Sequence, residues 1–416
     1  MIYPPPILLF VSKFNYENFL NVLNTDFLCI LSVLLPFVFM PIVLPMVVLM
    51  ANRKRLMDNP DARKTQKRPV AVMGGTVIML VICITSIILN LFYNISNLFP
   101  AMCVMMILYI FGMLDDNIGL SWQFKLGMQI FVILLLFFGG NYGINSLYGM
   151  FGIYSMPMWC ACLLTVFTGL LLLNAVNFAD GIDGLASGLG VLASLAMGYW
   201  NLRHGFVTQA LQSFTVVGVM ASFFLYNVFS KRYKMYMGDS GSLVLGLFLF
   251  LSICQDPYYL ADDAFIVDSY FLSFIIALFS AMLFDSVRVV IMRALKGNSP
   301  FEPDRSHLHH AYVDAGMSHL LATIKIILNN MAVIMVWYFT AKAELSEVLQ
   351  LAIVLSVGVV FIWVPYFMLE YLKNKSVDRY ILITRRCRRR SEVLNNFSNL
   401  IQRLVDGRRR QTHIAK

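Results

Sequence analysis

The chain has 416 residues, of which 59% are hydrophobic and only 13% charged, with a mean hydropathy of +0.72. Soluble domains carry about 25% charged residues and their cores cannot absorb this much apolar sequence, so a chain of soluble domains is excluded in favour of one integral membrane domain. The net charge of +9 gathers at the flanks of apolar runs, where membrane topology accounts for it, and nucleic acid is excluded as a partner.

Residues 1–26 read as an extracytoplasmic segment. The first apolar run, Phe27–Met50, is too long for a signal-peptide core and lacks a small-residue cleavage site, so it reads as a retained span. Ten more candidate helices follow, at roughly 70–92, 98–114, 124–140, 157–175, 185–200, 209–229, 242–254, 269–291, 321–341 and 348–369. Apolar runs of about 20 residues can cross a bilayer. The expected fold class is therefore all-α: a polytopic integral membrane protein of about eleven transmembrane helices, with a membrane domain over 27–369 and a basic tail over 370–416. Six of the seven cysteines lie in apolar spans and Cys387 lies in the tail, with no spacing that suggests zinc or a disulfide framework.

Orientation follows from Lys and Arg. The alternate loops 51–69, 115–125, 176–184, 230–241 and 292–320, together with the tail, hold 27 of the 32 basic residues. The opposite loops and the N-terminus hold Lys13, Arg203 and Lys342. The basic set is cytoplasmic by the positive-inside rule, which puts the N-terminus outside and the C-terminus in the cytoplasm. The outer loop carries Asp256, Asp262, Asp263 and Asp268, which read as solvated acids.

Five clusters that look chemical all fall on the cytoplasmic side. The first is Lys64-Thr-Gln-Lys67-Arg68-Pro69 before Gly74-Gly75 at the mouth of a span. Paired glycines at a helix start let a phosphate approach backbone N–H groups, and the bases supply countercharge; a positive-inside flank with a packing Gly pair is the plainer alternative. The second is Asp115-Asp116, ending an apolar helix where the helix dipole repels anions. Mg²⁺, a Lys or Arg, or a bound proton must compensate them. The third is Asn174-Ala-Val-Asn177-Phe-Ala-Asp180-Gly-Ile-Asp183-Gly, an oxygen-rich cage of the hard ligands that Mg²⁺ takes alongside substrate phosphates and water. The fourth is Gly238-Asp239-Ser240-Gly241, where Asp239 is either a metal ligand or an N-cap. The fifth is Pro303-Asp304-Arg305-Ser306-His307-Leu308-His309-His310. No acid or Cys has a complementary zinc spacing, so phosphate binding by His and Arg is the better reading.

In chain order these motifs resemble the polyprenyl-phosphate N-acetylhexosamine 1-phosphate transferase family of integral membrane enzymes, over residues of about 50–370. Asp285 and Arg288 before the His cluster also look like the family. The His-Leu-His-His pattern after Pro-Asp-Arg is similar to the branch that starts O-antigen, enterobacterial common antigen or teichoic-acid linkage units, whereas the peptidoglycan branch shows three consecutive His. Gln66 stands where many relatives carry His.

The resemblance implies transfer of N-acetylhexosamine 1-phosphate, with GlcNAc first in line, from a UDP-sugar to undecaprenyl phosphate, releasing UMP at the cytoplasmic face of a bacterial inner membrane. It implies Mg²⁺, with Mn²⁺ as a substitute, held first by Asp239 and Asn177. Asp180 and Asp183 would set the nucleotide pocket, with Asn174, Lys64, Lys67 and Arg68 as further substrate-binding residues. Asp115 and Asp116 would position or deprotonate the lipid phosphate, and Arg305, His307, His309 and His310 would hold phosphates. The same chemistry with the peptidoglycan precursor or another UDP-sugar is the alternative, and a secondary transporter is the rival class. A homodimer is left open. The tail lies outside the resemblance. Its Arg residues flank Val393, Leu394, Phe397, Leu400, Ile401 and Leu404, a spacing that predicts an amphipathic helix on anionic lipid, dispensable for the chemistry.

Overall fold

The computed structural model of the protein describes residues 25–54, 57–58, 69–95, 99–140, 142–254, 270–297, 299 and 305–406. Residues 1–24, Lys64, Gln66, Lys67 and Arg68, the loop 255–269 and the last residues, 407–416, lie outside the described residues.

Among the described residues the chain is a bundle of helices in the order α1 (Thr25–Lys54), α2 (Gly74–Asn90), α3 (Phe99–Ile118), α4 (Trp122–Gly140), α5 (Met158–Ala179), α6 (Leu185–Arg203), α7 (Val207–Phe229), α8 (Gly238–Ile253), α9 (Phe271–Leu278), α10 (Ser280–Leu295), α11 (Leu308–Asp314), α12 (His319–Lys342), α13 (Glu347–Lys375) and α14 (Val377–Val405). Eight of these are long and apolar enough to cross a membrane, or nine if the bent pair α9–α10 is one span, and α2 and α8 are shorter apolar helices. Apolar side chains such as Leu34, Met46, Leu163, Phe167 and Val360 stand exposed on the outside of the bundle, a surface that lipid rather than water would cover.

The all-α expectation holds with one addition. Residues 70–72, read from the sequence as the start of a span, form a strand instead. This strand, β2 (Val70–Val72), pairs antiparallel with β1 (Met57–Asp58) and parallel with β3 (Met235–Tyr236), in the registers Met57↔Ala71 and Ala71↔Met235. The β-branched Val70 and Val72 suit a strand. The strip ties the loop before α2 to the loop before α8.

Helix α8 is the centre of the bundle. Every residue from Ser240 to Ile253 is buried, as expected for a helix that is apolar all round. It packs on α3, α5 and α2. The contact is close where α8 begins: a Cβ on Gly112 of α3 or on Gly75 of α2 would overlap Ser240. The Gly75 N–H donates to the Met237 carbonyl at 3.1 Å, so this glycine pair serves helix packing.

The bend of 73° between α9 and α10 has a local cause. The buried Asn330 of α12 accepts from the Ser280 hydroxyl (3.0 Å) and the Ala281 N–H (2.7 Å), and its amide donates to the Leu278 carbonyl (2.9 Å). One side chain caps both helix ends, so the break leaves these backbone groups satisfied in an apolar setting.

The tail is not a detached appendage. Only Ser376 separates α13 from α14. Helix α14 packs on α7, α12 and α13, with Cys387 and Ser391 buried.

Candidate active site

The five clusters, where described, come together at one end of the bundle. Asp115 and Asp116 end α3, Lys125 begins α4, Asn177 ends α5, Asp180 and Asp183 lie in the turn to α6, and Asp239 lies in the first turn of α8.

The structure resolves the expense of Asp115 and Asp116 by treating them differently. Asp116 accepts from the Asp239 N–H (2.7 Å), the Ser240 N–H (3.1 Å) and the Ser240 hydroxyl (2.7 Å). A carboxylate from α3 thus caps the N-terminus of α8, where the helix dipole favours an anion. The close approach of Gly112 to Ser240 makes this reach possible. Asp115 accepts from the Leu120 N–H at 2.8 Å and stands 2.5 Å from the Lys125 ammonium.

Lys125 also donates to Asp239 Oδ2 at 3.0 Å, and the other Asp239 oxygen accepts from the Asn177 amide at 2.9 Å. Asn177 donates further to the Ser242 hydroxyl at 2.9 Å. The Asp115 and Asp239 carboxyls thus share the one Lys125 ammonium. Asp239 is therefore not the cap of its own helix; Asp116 takes that place and leaves Asp239 facing Lys125 and Asn177.

Asp180 sits beside this group, with the Gly238 N–H as a partner. Burial, then the charges of Asp239, Asp183 and Asp116, hold its carboxyl well above the usual carboxylate range. The cluster thus carries more negative charge than Lys125 balances. Among the described residues no three His, Cys, Asp or Glu side chains are grouped to hold a metal ion. A Mg²⁺ ion that takes one or two protein oxygens, and completes its shell with phosphate and water, needs no such group. Asp239, the first expected ligand, fits that pattern with Asp115 beside it, whereas Asn177, the other expected ligand, turns its amide nitrogen to Asp239 and Ser242; a divalent cation would offset the excess negative charge.

Asp183 is committed elsewhere. Its Oδ2 accepts from Lys234 at 2.7 Å and from His319 Nδ1 at 3.0 Å. Burial opposes ionisation, but the His319 hydrogen bond and the Lys234 charge outweigh it and hold the carboxyl below its ordinary range. Asn174 is also engaged outside the carboxylate group. Its amide donates to Gln129 of α4 (2.8 Å) and to the Leu170 carbonyl (2.7 Å).

A second polar group surrounds the histidines. Asp285 of α10 accepts from Arg288 Nη2 (2.6 Å), from His307 Nδ1 (2.9 Å) and from the Leu308 N–H (3.1 Å). Arg288 is fully buried, donates to the Ser306 carbonyl at 2.7 Å and lies 3.6 Å from the Tyr366 ring centroid. His309 is 3% exposed and packs on Gly181, where a Cβ would overlap its ring. This contact joins the His cluster to the Asp180–Asp183 turn and leaves room for no side chain but glycine's. Burial and the neighbouring His310 push the His309 pKa down to about 3, while burial and Arg305 push His310 down to about 4. Both rings are thus held toward their neutral form, and Arg305 is the member of the expected set that carries a fixed charge. Arg305 pairs with Asp314 at 3.0 Å on the surface. Beside it a cavity of about 330 Å³ is lined by Arg305, Asp314, Tyr366, Glu370, Lys373 and Tyr380, among others.

Sequence reasoning missed Lys125, Lys234 and His319 as site residues. Lys125 carried a signal: it is the one basic residue in the loop that follows Asp115-Asp116. His319 stood alone at the start of a span, with nothing local to single it out.

Comparison with known proteins gives a consistent result. Residues 98–255 match the family described as glycosyl transferase family 4. The chain is 30% identical over 284 residues to the undecaprenyl-phosphate alpha-N-acetylglucosaminyl 1-phosphate transferase of Escherichia coli O157:H7, covering 67% of this chain and 74% of that one. It is 27% identical over 279 residues to the protein of the same name from Salmonella typhi, covering 66% and 73%. It is 33% identical over 235 residues to the decaprenyl-phosphate N-acetylglucosaminephosphotransferase of Mycolicibacterium smegmatis, covering 52% and 57%.

Proposed function

Because the chain belongs to glycosyl transferase family 4, we propose that it transfers N-acetylhexosamine 1-phosphate, most simply GlcNAc 1-phosphate, from a UDP-sugar to undecaprenyl phosphate and releases UMP. The observation that carries this reading is the junction of Asp115, Lys125, Asn177 and Asp239 at the mouth of the bundle. It is a polar, charge-unbalanced site at the level where a lipid phosphate and a water-soluble nucleotide can meet.

In the proposed reaction an oxygen of the lipid phosphate attacks the phosphorus bonded to the sugar O1. The new P–O bond forms as the bond to the departing UMP phosphate breaks. The second pKa of a phosphate monoester is about 6, so the nucleophile is already mostly ionised at neutral pH and needs no strong base. Both reactants are anions, and their repulsion is the main obstacle; positioning and charge stabilisation dominate such transfers. Lys125 supplies fixed positive charge between Asp115 and Asp239. Asp239, with Asp115 beside it and Asn177 to orient it, would hold Mg²⁺, or Mn²⁺ in its place. When bound, the ion would neutralise the diphosphate and stabilise the leaving phosphate. Asp116 fixes the start of α8, and Asp183 ties Lys234 and His319 to the same floor. Arg305 stands at the surface beside a cavity whose hydroxyl- and charge-bearing lining suits a sugar, while His307 is buried against Asp285 and would act by holding that wall in place.

Topology completes the reading. The bent pair and the two shorter apolar helices, added to the eight long ones, support eleven crossings. The described basic residues Lys125, Lys231, Arg232, Lys234 and Arg305 fall at the same end as the site, which supports a cytoplasmic site in a bacterial inner membrane, with the N-terminus outside and the tail inside.

The test is UMP release by the purified protein given undecaprenyl phosphate, Mg²⁺ and a panel of UDP-sugars. Release with one N-acetylhexosamine donor, dependent on the lipid phosphate, is the expected result. No release with any donor in a folded preparation would sink the transferase reading and return the rival, a transporter.

A further inference from the structure

We propose that α14 is an interfacial helix that seats its Val393, Phe397, Leu400 and Leu404 face in an anionic lipid surface, while its opposite side straps the bundle. Two faces of this helix are distinguishable. The inner face holds the buried Cys387 and Ser391. Ser391 accepts from the Ser318 N–H at 2.9 Å, and Asp406 just beyond the helix accepts from the Ser230 hydroxyl (2.6 Å) and the Lys231 N–H (3.0 Å). These contacts fix the rotation of the helix on the bundle.

That rotation leaves Val393, Phe397, Leu400 and Leu404 outward and exposed, Phe397 at 57% and Leu404 at 79%. They recur four, three and four residues apart, the spacing of one helical stripe. Leu394 and Ile401, part of the same run in the sequence, turn partly inward instead. The occupant of the stripe follows from its surroundings. Arg385, Arg386, Arg389 and Arg390 are exposed on the preceding turns, and basic side chains beside an apolar stripe are the pattern of helices that lie at the headgroup boundary. The helix also begins one residue after α13, a candidate span, so it starts at the level where the chain leaves the bilayer. Its seating on the anionic cytoplasmic leaflet rests on the orientation proposed above; its affinity for anionic lipid does not.

The strap touches meaningful ground. Ser318 precedes His319, and the loop 230–232 leads to Lys234; these are the two partners of Asp183. Lipid seating of α14 would therefore steady both.

The experiment places the full-length protein in nanodiscs of either zwitterionic lipid or a mixture rich in phosphatidylglycerol, each with shallow-brominated acyl chains. Phe397→Trp is compared with Asn399→Trp, which sits on an exposed polar part of the helix, after subtraction of the wild-type emission. The expected result is quenching of the residue-397 signal in the anionic discs, several-fold stronger than at 399. Replacing Arg385, Arg386, Arg389 and Arg390 by Gln should reduce it toward the zwitterionic value. Equal quenching at both positions, or none at 397 in the anionic discs, would overturn the proposal. Protection of 397 that appears only when each disc holds two copies would assign the stripe to a second copy instead. Since both substitutions are at exposed sites, folding is checked by retention of the wild-type thermal transition.

Discussion

Two polar groups sit a short distance apart at the same end of this bundle, and they solve the problem of buried charge in opposite ways. Around Asp285 the charge is matched: the carboxylate accepts from Arg288, His307 and the Leu308 N–H, and burial holds the nearby His309 toward its neutral form, although Arg288 Nε and Nη1 and His309 Nε2 find no hydrogen-bond partner among the described residues. Around Asp239 the balance is unfinished. Asp115 and Asp239 share a single Lys125, and Asp180 beside them is pressed toward its protonated form. A balanced group holds a shape, whereas an unbalanced group is stable only if something positive, or a proton, joins it. The difference suits positioning for the first group and, on the proposed function, ligand chemistry for the second.

The sharpest way to break that assignment is to unbalance the balanced group. Asp285→Ala strands Arg288, and removing one partner of a buried ion pair costs about 3–5 kcal/mol. The expected outcome is a large fall in thermal stability in detergent. Replacing Arg288 by Met as well should restore much of it, because no buried charge is then left alone. A single variant that melts like wild type would show that the Asp285 group bears no such structural load.

The converse is expected of Asp239→Asn. The shape is kept and one charge is removed, so folding should survive while turnover falls by about 10²–10³ or more, the scale of losing one charge contact to a transition state. UMP release across a Mg²⁺ titration is the measurement. Near-normal turnover at low Mg²⁺ would move the metal away from Asp239, with Asp115 next in line.

Acid should separate the groups more gently. His309 has a folded pKa of about 3 against an ordinary value of about 6.5. The unfolded chain therefore binds the extra proton throughout the interval between them. Stability from this residue is full above about pH 6.5 and declines as pH falls toward 3, by at most about 1.4 kcal/mol per pH unit. His309→Gln should flatten the profile below pH 6.5; an unchanged slope would assign the acid sensitivity to other groups.

The smallest effect is expected at the strap, which touches neither group directly. Asp406→Ala removes the acceptor for Ser230 and Lys231, and a partly exposed hydrogen bond to a charge is worth about 1.5 kcal/mol. A modest drop in melting temperature with near-normal UMP release is the expected pattern. Loss of turnover at full stability would mean that the strap acts on the chemistry, contrary to the expectation that the tail is dispensable for it.

Much of this molecule was legible along the chain. Hydropathy is a local property, so the positions of most spans and their shared basic side could be anticipated from the sequence, whereas the central place of the apolar α8 could not. So could the chemical character of Asn177, Asp180 and Asp239, because oxygen-bearing side chains spaced by glycine at helix ends are costly without a purpose. What the sequence could not decide is who meets whom. The Asn177–Asp239 pair spans 62 positions, the Lys125–Asp239 pair 114, and the His319–Asp183 pair 136. No local pattern encodes such contacts. Nor could the sequence tell that Asp116 would cap α8 and release Asp239, that Asn330 would close the break between α9 and α10, or that burial would leave His309 uncharged. Each of these depends on which surface a helix presents to its neighbour, and the packing of the whole bundle fixes that.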